Sequence, residues 1–170
     1  SPISRWWRQV FFFFFSIQLF TPTTCFSSEN RLATLVSRVY QSYAWVAVFS
    51  ISPPRNALPL AQASREELRG IFSPELAQAI WADAQCAQKR GEICLLDFEI
   101  LFDSQDPSAV ELTVRPGSHA GEVIACFKDI EGTKKCLTFL GKAVGRSTRV
   151  TDIIYPGHQS LRQVLGLPSK

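Results

Sequence analysis

The hydrophobic period of this chain changes once, near residue 93, and that change limits the folds open to it. Before it, Leu32, Leu35, Val36, Val39, Tyr40, Tyr43 and Val46 recur at steps of three and four. That spacing is one face of a helix over about 29–50. After it, Phe98, Ile100 and Phe102 alternate along the chain, as do Val110, Leu112 and Val114, which is the period of strands. Helices first and strands afterwards predict an α+β domain, with N-terminal helices packed on one face of a curved, four- to five-stranded antiparallel sheet.

Local signals set the boundaries. Ser27 or Ser28 can cap the first helix, Ser52-Pro53-Pro54 ends it, and 52–62 reads as a loop. Ser64 and Glu67 have the spacing of a capping box. Ser73-Pro74 starts another helix, with Ser as cap and Pro at the first position, and Leu76, Ile80 and Trp81 form its apolar side. Strands are expected at 93–102, 109–115, 121–129, 133–141 and 148–155, separated by turns at Arg115-Pro116-Gly117 and Ile130-Glu131-Gly132. Gln159 to Leu165 reads as a short helix closed by Gly166 and Pro168.

Residues 1–27 have the order of a secretory signal. Arg5 and Arg8 precede the apolar run Val10–Phe20, and Thr21-Pro22-Thr23-Thr24 follows it. The run of eleven is too short for a spanning helix, which needs ~20 residues. Cleavage after Ser27 fits the small residues Cys25 and Ser27. Lipidation of Cys25 is the alternative, although Pro22-Thr23-Thr24 matches a lipoprotein signal poorly. The expected organisation is a signal over 1–27 and a single α+β domain over 28–170. A chain that begins with Ser and contains no Met is also expected to lack its true start.

An exported domain keeps four cysteines, Cys86, Cys94, Cys126 and Cys136, which reads as two disulfides in the periplasm or outside the cell. A turn at Ile130-Glu131-Gly132 pairs Lys128 with Lys134 and places Cys126 opposite Cys136. Cys86–Cys94 then closes the link between a helix and the first strand. The cysteines contain no C-x-x-C, and neither His119 nor His158 stands at a metal-like spacing to them, so no metal and no cofactor is expected.

Charge narrows the function classes. The first 27 residues hold two of the 18 basic residues and no acid, which leaves 16 basic against 15 acidic groups in the remainder. That balance excludes a nucleic-acid binder, which needs a basic stripe. A membrane is reached only through the signal or a lipidated Cys25. Lys134, Lys135, Lys142, Arg146 and Arg149 are expected near one end of the sheet. There they serve an acidic partner or a phospholipid surface, or simply blunt strand edges.

Three segments carry a family resemblance. Phe72-Ser73-Pro74-Glu75-Leu76 resembles a "SPEL" helix start. Asp97 to Asp106 resembles a "DFDPFLNAQD" segment. Thr151-Asp152-Ile153-Ile154-Tyr155, followed by Ser160-Leu161-Arg162, resembles a closing "DDIxY…SLR" pattern. Together they resemble a family of exported bacterial domains of uncharacterised function, related to the nuclear-transport-factor-two-like (cystatin-like) cone fold, over about residues 30–166. The chain departs where the family usually has a Trp, here Arg149-Val150-Thr151, and where "NAQD" reads Asp103-Ser104-Gln105-Asp106. The resemblance implies a cone-shaped sheet wrapped over the first helix, often with a pocket in its mouth. It implies no mechanism.

The candidate polar and binding cluster is Tyr43, Trp45, Asp103, Gln105, Asp106, Asp152 and Tyr155. Asp97 and Glu99 are expected on a solvated strand face, and Asp103 and Asp106 in a turn. Gln105-Asp106 is the first choice for a specific polar role, including a buried carboxylate that ties helices to sheet. Tyr43 and Trp45 either pack in the core or line a binding mouth. His119 and His158 are expected in exposed loops. The leading expectation is a non-enzymatic binding module of the envelope or periplasm that acts on an unknown protein or small ligand, one form being an inhibitor or immunity-type protein. The alternative is a small enzyme or ligand-binding protein using the cone pocket, with Asp103, Asp106, Asp152 or Tyr155 as acid/base groups. A cavity of at least ~300 Å³ with a desolvated carboxylate inside would favour the enzyme.

Overall fold

The computed structural model describes residues 28–157 and 159–169, with side chains from Arg31 onward. The expectations placed on 1–27, on Cys25 and on His158 lie outside the described residues. The described elements are α1 (Ser28–Tyr43), α2 (Arg65–Ile71), α3 (Pro74–Arg90), β1 (Val110–Pro116), β2 (Glu122–Lys128), β3 (Lys134–Val144), β4 (Ser147–Ile154) and α4 (Leu161–Val164). The strands form one open antiparallel sheet in the order β1-β2-β3-β4. The fold is α+β, as the change of period predicts.

Helix α1 is shorter than its apolar stripe. At Tyr43 the backbone leaves helical geometry (φ −123°, ψ −4°), and Ala44–Val46 tightens into a 3-10 turn. The Ala47 carbonyl then accepts the N–H of Ala109 at 3.0 Å, tying the end of the helix to the approach of β1. Leu32, Leu35, Val36, Val39 and Tyr40 of α1 are buried against one sheet face. That face consists of Val123, Ala125 and Phe127 of β2, Leu137 and Phe139 of β3, and Val150 and Ile153 of β4. Burying each large aliphatic side chain contributes ~1.5–3 kcal/mol. Close approach is possible because β3 carries Gly141, where an added Cβ would lie 2.5 Å from Leu32 Cδ1.

The expected first strand, 93–102, is not a strand. Its backbone groups go elsewhere. Leu95 and Leu96 donate their N–H groups to the Asp83 carboxylate of α3 at 2.7 and 3.2 Å. The Leu101 and Ile100 carbonyls accept the hydroxyls of Tyr40 (2.8 Å) and Tyr155 (3.1 Å). Phe102 and Asp103 turn back on the Glu99 carbonyl, with Asp103 at φ 51°, a conformation Asp tolerates better than most residues. Ile100, Leu101 and Phe102 are all buried, so the chain enters the core as a turn and its alternation has no sheet to serve. In β1 the alternation turns Leu112 and Val114 toward the core but breaks at the start of the strand. Val110 is exposed, the register shifts between Val110 and Thr113, and Glu111 sits at φ 55°. This edge strand is bulged.

Both expected disulfides are present. Cys126 lies opposite Cys136 in the β2–β3 register, with Lys128 opposite Lys134, and their Cα atoms are 4.1 Å apart. Cys86 and Cys94 (Cα–Cα 6.2 Å) tie the end of α3 to the segment that follows. Each loop is short, so each bridge contributes ~2–3 kcal/mol by loop entropy. The Ser64–Glu67 capping box forms, whereas Ser73 starts α3 through Pro74 without a side-chain cap. A second capping box, Ser160 with Gln163, opens α4.

Candidate functional site

The three resemblance segments meet in space. Ser73 donates its N–H to the Val150 carbonyl at 2.8 Å. Glu75 Oε2 accepts from Arg162 Nη1 at 3.2 Å. Asp152 Oδ1 accepts the N–H groups of Ile153 (2.9 Å) and Arg162 (3.0 Å). The Tyr155 ring stands edge-on to Phe98, with centroids 5.1 Å apart. Arg162 is 1% exposed, and its Nε donates to the Pro168 carbonyl. These contacts tie helices to sheet. Asp152 thereby joins β4 to the first turn of α4 through backbone N–H groups.

A polar cluster lies beneath the 97–105 turn. The Tyr40 and Tyr155 hydroxyls hold the turn from below, and burial pushes both phenols well above their ordinary range. Lys135 Nζ donates to the Asp103 carbonyl at 2.8 Å and stands 3.8 Å from Asp103 Oδ2. Glu99, expected on a solvated face, is instead mostly buried, and its Oε1 has no hydrogen-bond partner. Desolvation raises its carboxyl to about 7, against the Leu101 N–H bond that stabilises the anion. Above the sheet, Tyr40 packs edge-on against Phe102 and Phe139, and Phe102 against Phe127. The space between α1 and the sheet is filled with side chains here.

The open cleft is elsewhere. α1, α2 and the 54–63 segment enclose about 600 Å³, lined by Leu35, Val39, Tyr43, Trp45, Leu58 and Ile71, with Arg38, Ser42, Asn56 and Glu67 as polar groups. Tyr43 and Trp45 are half-buried and line the cleft. Burial first, then the Glu67 charge, raises the Tyr43 phenol. The Ser64 capping bonds hold Glu67 below its usual range, so this carboxylate is ionised. The desolvated carboxylate and the cleft are therefore separate, since Glu99 is not among the cleft's lining residues. A second depression of about 720 Å³ beside Gly91–Ile93 is lined by neither aromatic rings nor cations, and its Asp83 carboxylate is already bonded to backbone N–H groups.

The structure scatters the rest of the sequence-derived cluster. Gln105 and Asp106 are exposed, and Gln105 Nε2 bonds Asp97 at 3.2 Å. The buried carboxylates that tie elements together are Asp83 and Asp152, not Asp106. Asp103 and Tyr155 do come together, beneath the turn. The five cations split. Lys134 and Lys135 open β3, while Lys142, Arg146 and Arg149 lie at its far end and in the next hairpin. Seven residue steps along β3 from Lys135 to Lys142, at ~3.3 Å each, separate the two groups. His119 is exposed as expected and pairs with Glu122 at 3.1 Å. Sequence reasoning missed Arg31 and Arg38, whose seven-residue spacing on α1 was the available signal, and it missed Asp83 and Glu99.

Among the described residues no group of His, Cys, Asp and Glu side chains is arranged to hold a metal ion. No described helix is long and apolar enough to cross a membrane. The two disulfides point to an oxidising compartment. Comparison of the chain with protein-family models, with curated proteins and with solved structures gave no match in any of the three.

Proposed function

We propose that this is an exported, non-enzymatic binding module of the envelope or periplasm, and that the α1–α2 cleft receives its ligand or a segment of its partner. One observation carries the reading. A cleft of about 600 Å³ joins the half-buried aromatic rings of Tyr43 and Trp45 to Arg38 and Glu67, the amphipathic composition that suits recognition. The candidate acid/base groups support it from the other side. Asp152 is engaged by two backbone N–H groups, Tyr155 by a backbone carbonyl, and Asp106 lies apart on the surface. An inhibitor or immunity-type protein is one form of such a module. The cone-fold kinship belongs to the same proposal, with α1 and the 100–102 turn occupying the space that a cone pocket would take.

The test is retention from envelope extract on immobilised wild type and on Trp45→Ala, with melting temperatures measured in parallel. A molecule held by wild type and lost from a folded Trp45→Ala supports the cleft. Equal retention on both counts against it.

A further inference from the structure

A notch adjoins the cleft on the far side of Leu35. It encloses about 280 Å³ between α1 and the β3–β4 hairpin, lined by Arg31, Thr34, Leu35, Arg38, Ser147, Thr148 and Arg149. Leu35 and Arg38 line both spaces. Three arginines thus line a depression with no carboxylate among its lining residues. Arg31 and Arg38 are seven residues apart on α1, about two turns and ~10 Å along one face. Neither forms an ion pair with a described residue.

Arg149 is held differently. Its Nε donates to the Arg69 carbonyl at 2.7 Å and its Nη1 to the Thr148 carbonyl at 2.9 Å. Those bonds fix the guanidinium plane and leave Nη2 without a hydrogen-bond partner among the described residues. A fixed fork loses little entropy when it binds an anion. Lys142 pairs with Arg149 across the strands, and Arg146 lies in the adjoining turn, so the surrounding field is positive as well.

We propose that this notch binds the phosphate group of an amphiphile whose apolar chain lies along the adjoining cleft against Tyr43 and Trp45. The proposal rests on the cleft reading and specifies its ligand class. Three arginines lining one notch suit a phosphate, which offers up to two charges and several acceptor oxygens, better than a carboxylate with its two oxygens. The shared wall at Leu35 and Arg38 puts a charged notch and an aromatic, aliphatic cleft end to end. That is the order of groups in a phosphate-headed amphiphile. Glu67 lines only the cleft, away from the notch.

The probes are decyl phosphate, decyl maltoside of the same chain length and inorganic phosphate. All are titrated below micelle formation into the protein with both disulfides intact, and binding is read by calorimetry and by Trp emission. The account expects decyl phosphate to bind, to shift the Trp emission to the blue and to outcompete both other probes. It expects the exposed-site variant Arg31→Gln/Arg38→Gln to weaken decyl phosphate roughly tenfold or more, to leave the melting temperature unchanged and to reduce the salt dependence. Lys89→Gln should have no effect. If inorganic phosphate binds as tightly as decyl phosphate, the amphiphile is wrong. If decyl maltoside matches decyl phosphate and the arginine variant is indifferent, the anion notch is wrong while the cleft reading stands. Binding to anionic vesicles without binding of monomeric decyl phosphate overturns the proposal in favour of a membrane surface. Absence of binding by every probe overturns it too, and the retention experiment then decides the cleft reading separately.

Discussion

Asp152 Oδ1 accepts the backbone N–H of Arg162 at 3.0 Å, and through that bond the last strand holds the last helix. The carboxylate is 7% exposed and serves one of the N–H groups that the first turn of α4 cannot satisfy within the helix. Asp152→Ala is expected to lower stability by ~1–3 kcal/mol, and Asp152→Asn, which keeps an acceptor oxygen, by less. Urea unfolding of the two variants checks the order. An Asp152→Ala protein as stable as wild type would show that α4 is held by apolar packing alone.

Stability should fall as pH rises from 4.5 to about 7. The Glu99 carboxyl is raised from 4.5 to about 7 by desolvation, so the folded chain binds a proton that the unfolded chain has released in that window. The stabilisation is fully present below 4.5 and lost as the pH passes through 7. Its size is on the order of 3 kcal/mol. The groups that share its electrostatic environment are Tyr40 of α1, Tyr155 after β4, and Asp103 with its Lys135 partner. Glu99→Gln should remove this part of the slope and stabilise the domain at pH 8. A Glu99→Gln protein with the wild-type pH profile contradicts the assignment.

The turn at 100–102 hangs on two hydroxyls, so Tyr40→Phe and Tyr155→Phe should each cost ~1–2 kcal/mol by orphaning a buried carbonyl. Hydrogen exchange of the 97–105 amides, faster in both variants, would localise the effect. Exchange unchanged there would mean that the carbonyls find other partners.

How much of this was legible in the sequence depends on how far apart the partners lie. The β2–β3 register followed from one turn and counting outward, because hairpin partners are fixed by local chain geometry. The Ser64–Glu67 box was legible for the same reason. Residues 93–102 were misread because alternation describes a strand only when its N–H and C=O groups face another strand. Here Asp83, Tyr40 and Tyr155 take them, and the two tyrosines lie 61 and 55 residues away. Tyr43 and Trp45 were legible as candidates by ring chemistry. The cleft they line was not, since its other wall comes from the 54–63 segment and α2. The resemblance motifs were found as patterns, and the structure gives their residues a mutual structural role.

Gly141→Ala should destabilise by ~1–3 kcal/mol, because the new Cβ would enter the Leu32 side chain at 2.5 Å and that side chain is 1% exposed. The double variant Gly141→Ala/Leu32→Ala should lose less than the sum of the two single changes. Strict additivity in thermal unfolding would contradict a direct contact between the two positions.

The most direct measurement is disulfide mapping by mass spectrometry, without reduction, of the protein recovered from fractionated cells. The account predicts an extracytoplasmic polypeptide that starts at or near Ser28 and carries Cys86–Cys94 and Cys126–Cys136. Free thiols at these four positions, in a cytosolic protein that retains residues 1–27, would contradict both the stapled fold and the compartment in which it is proposed to work.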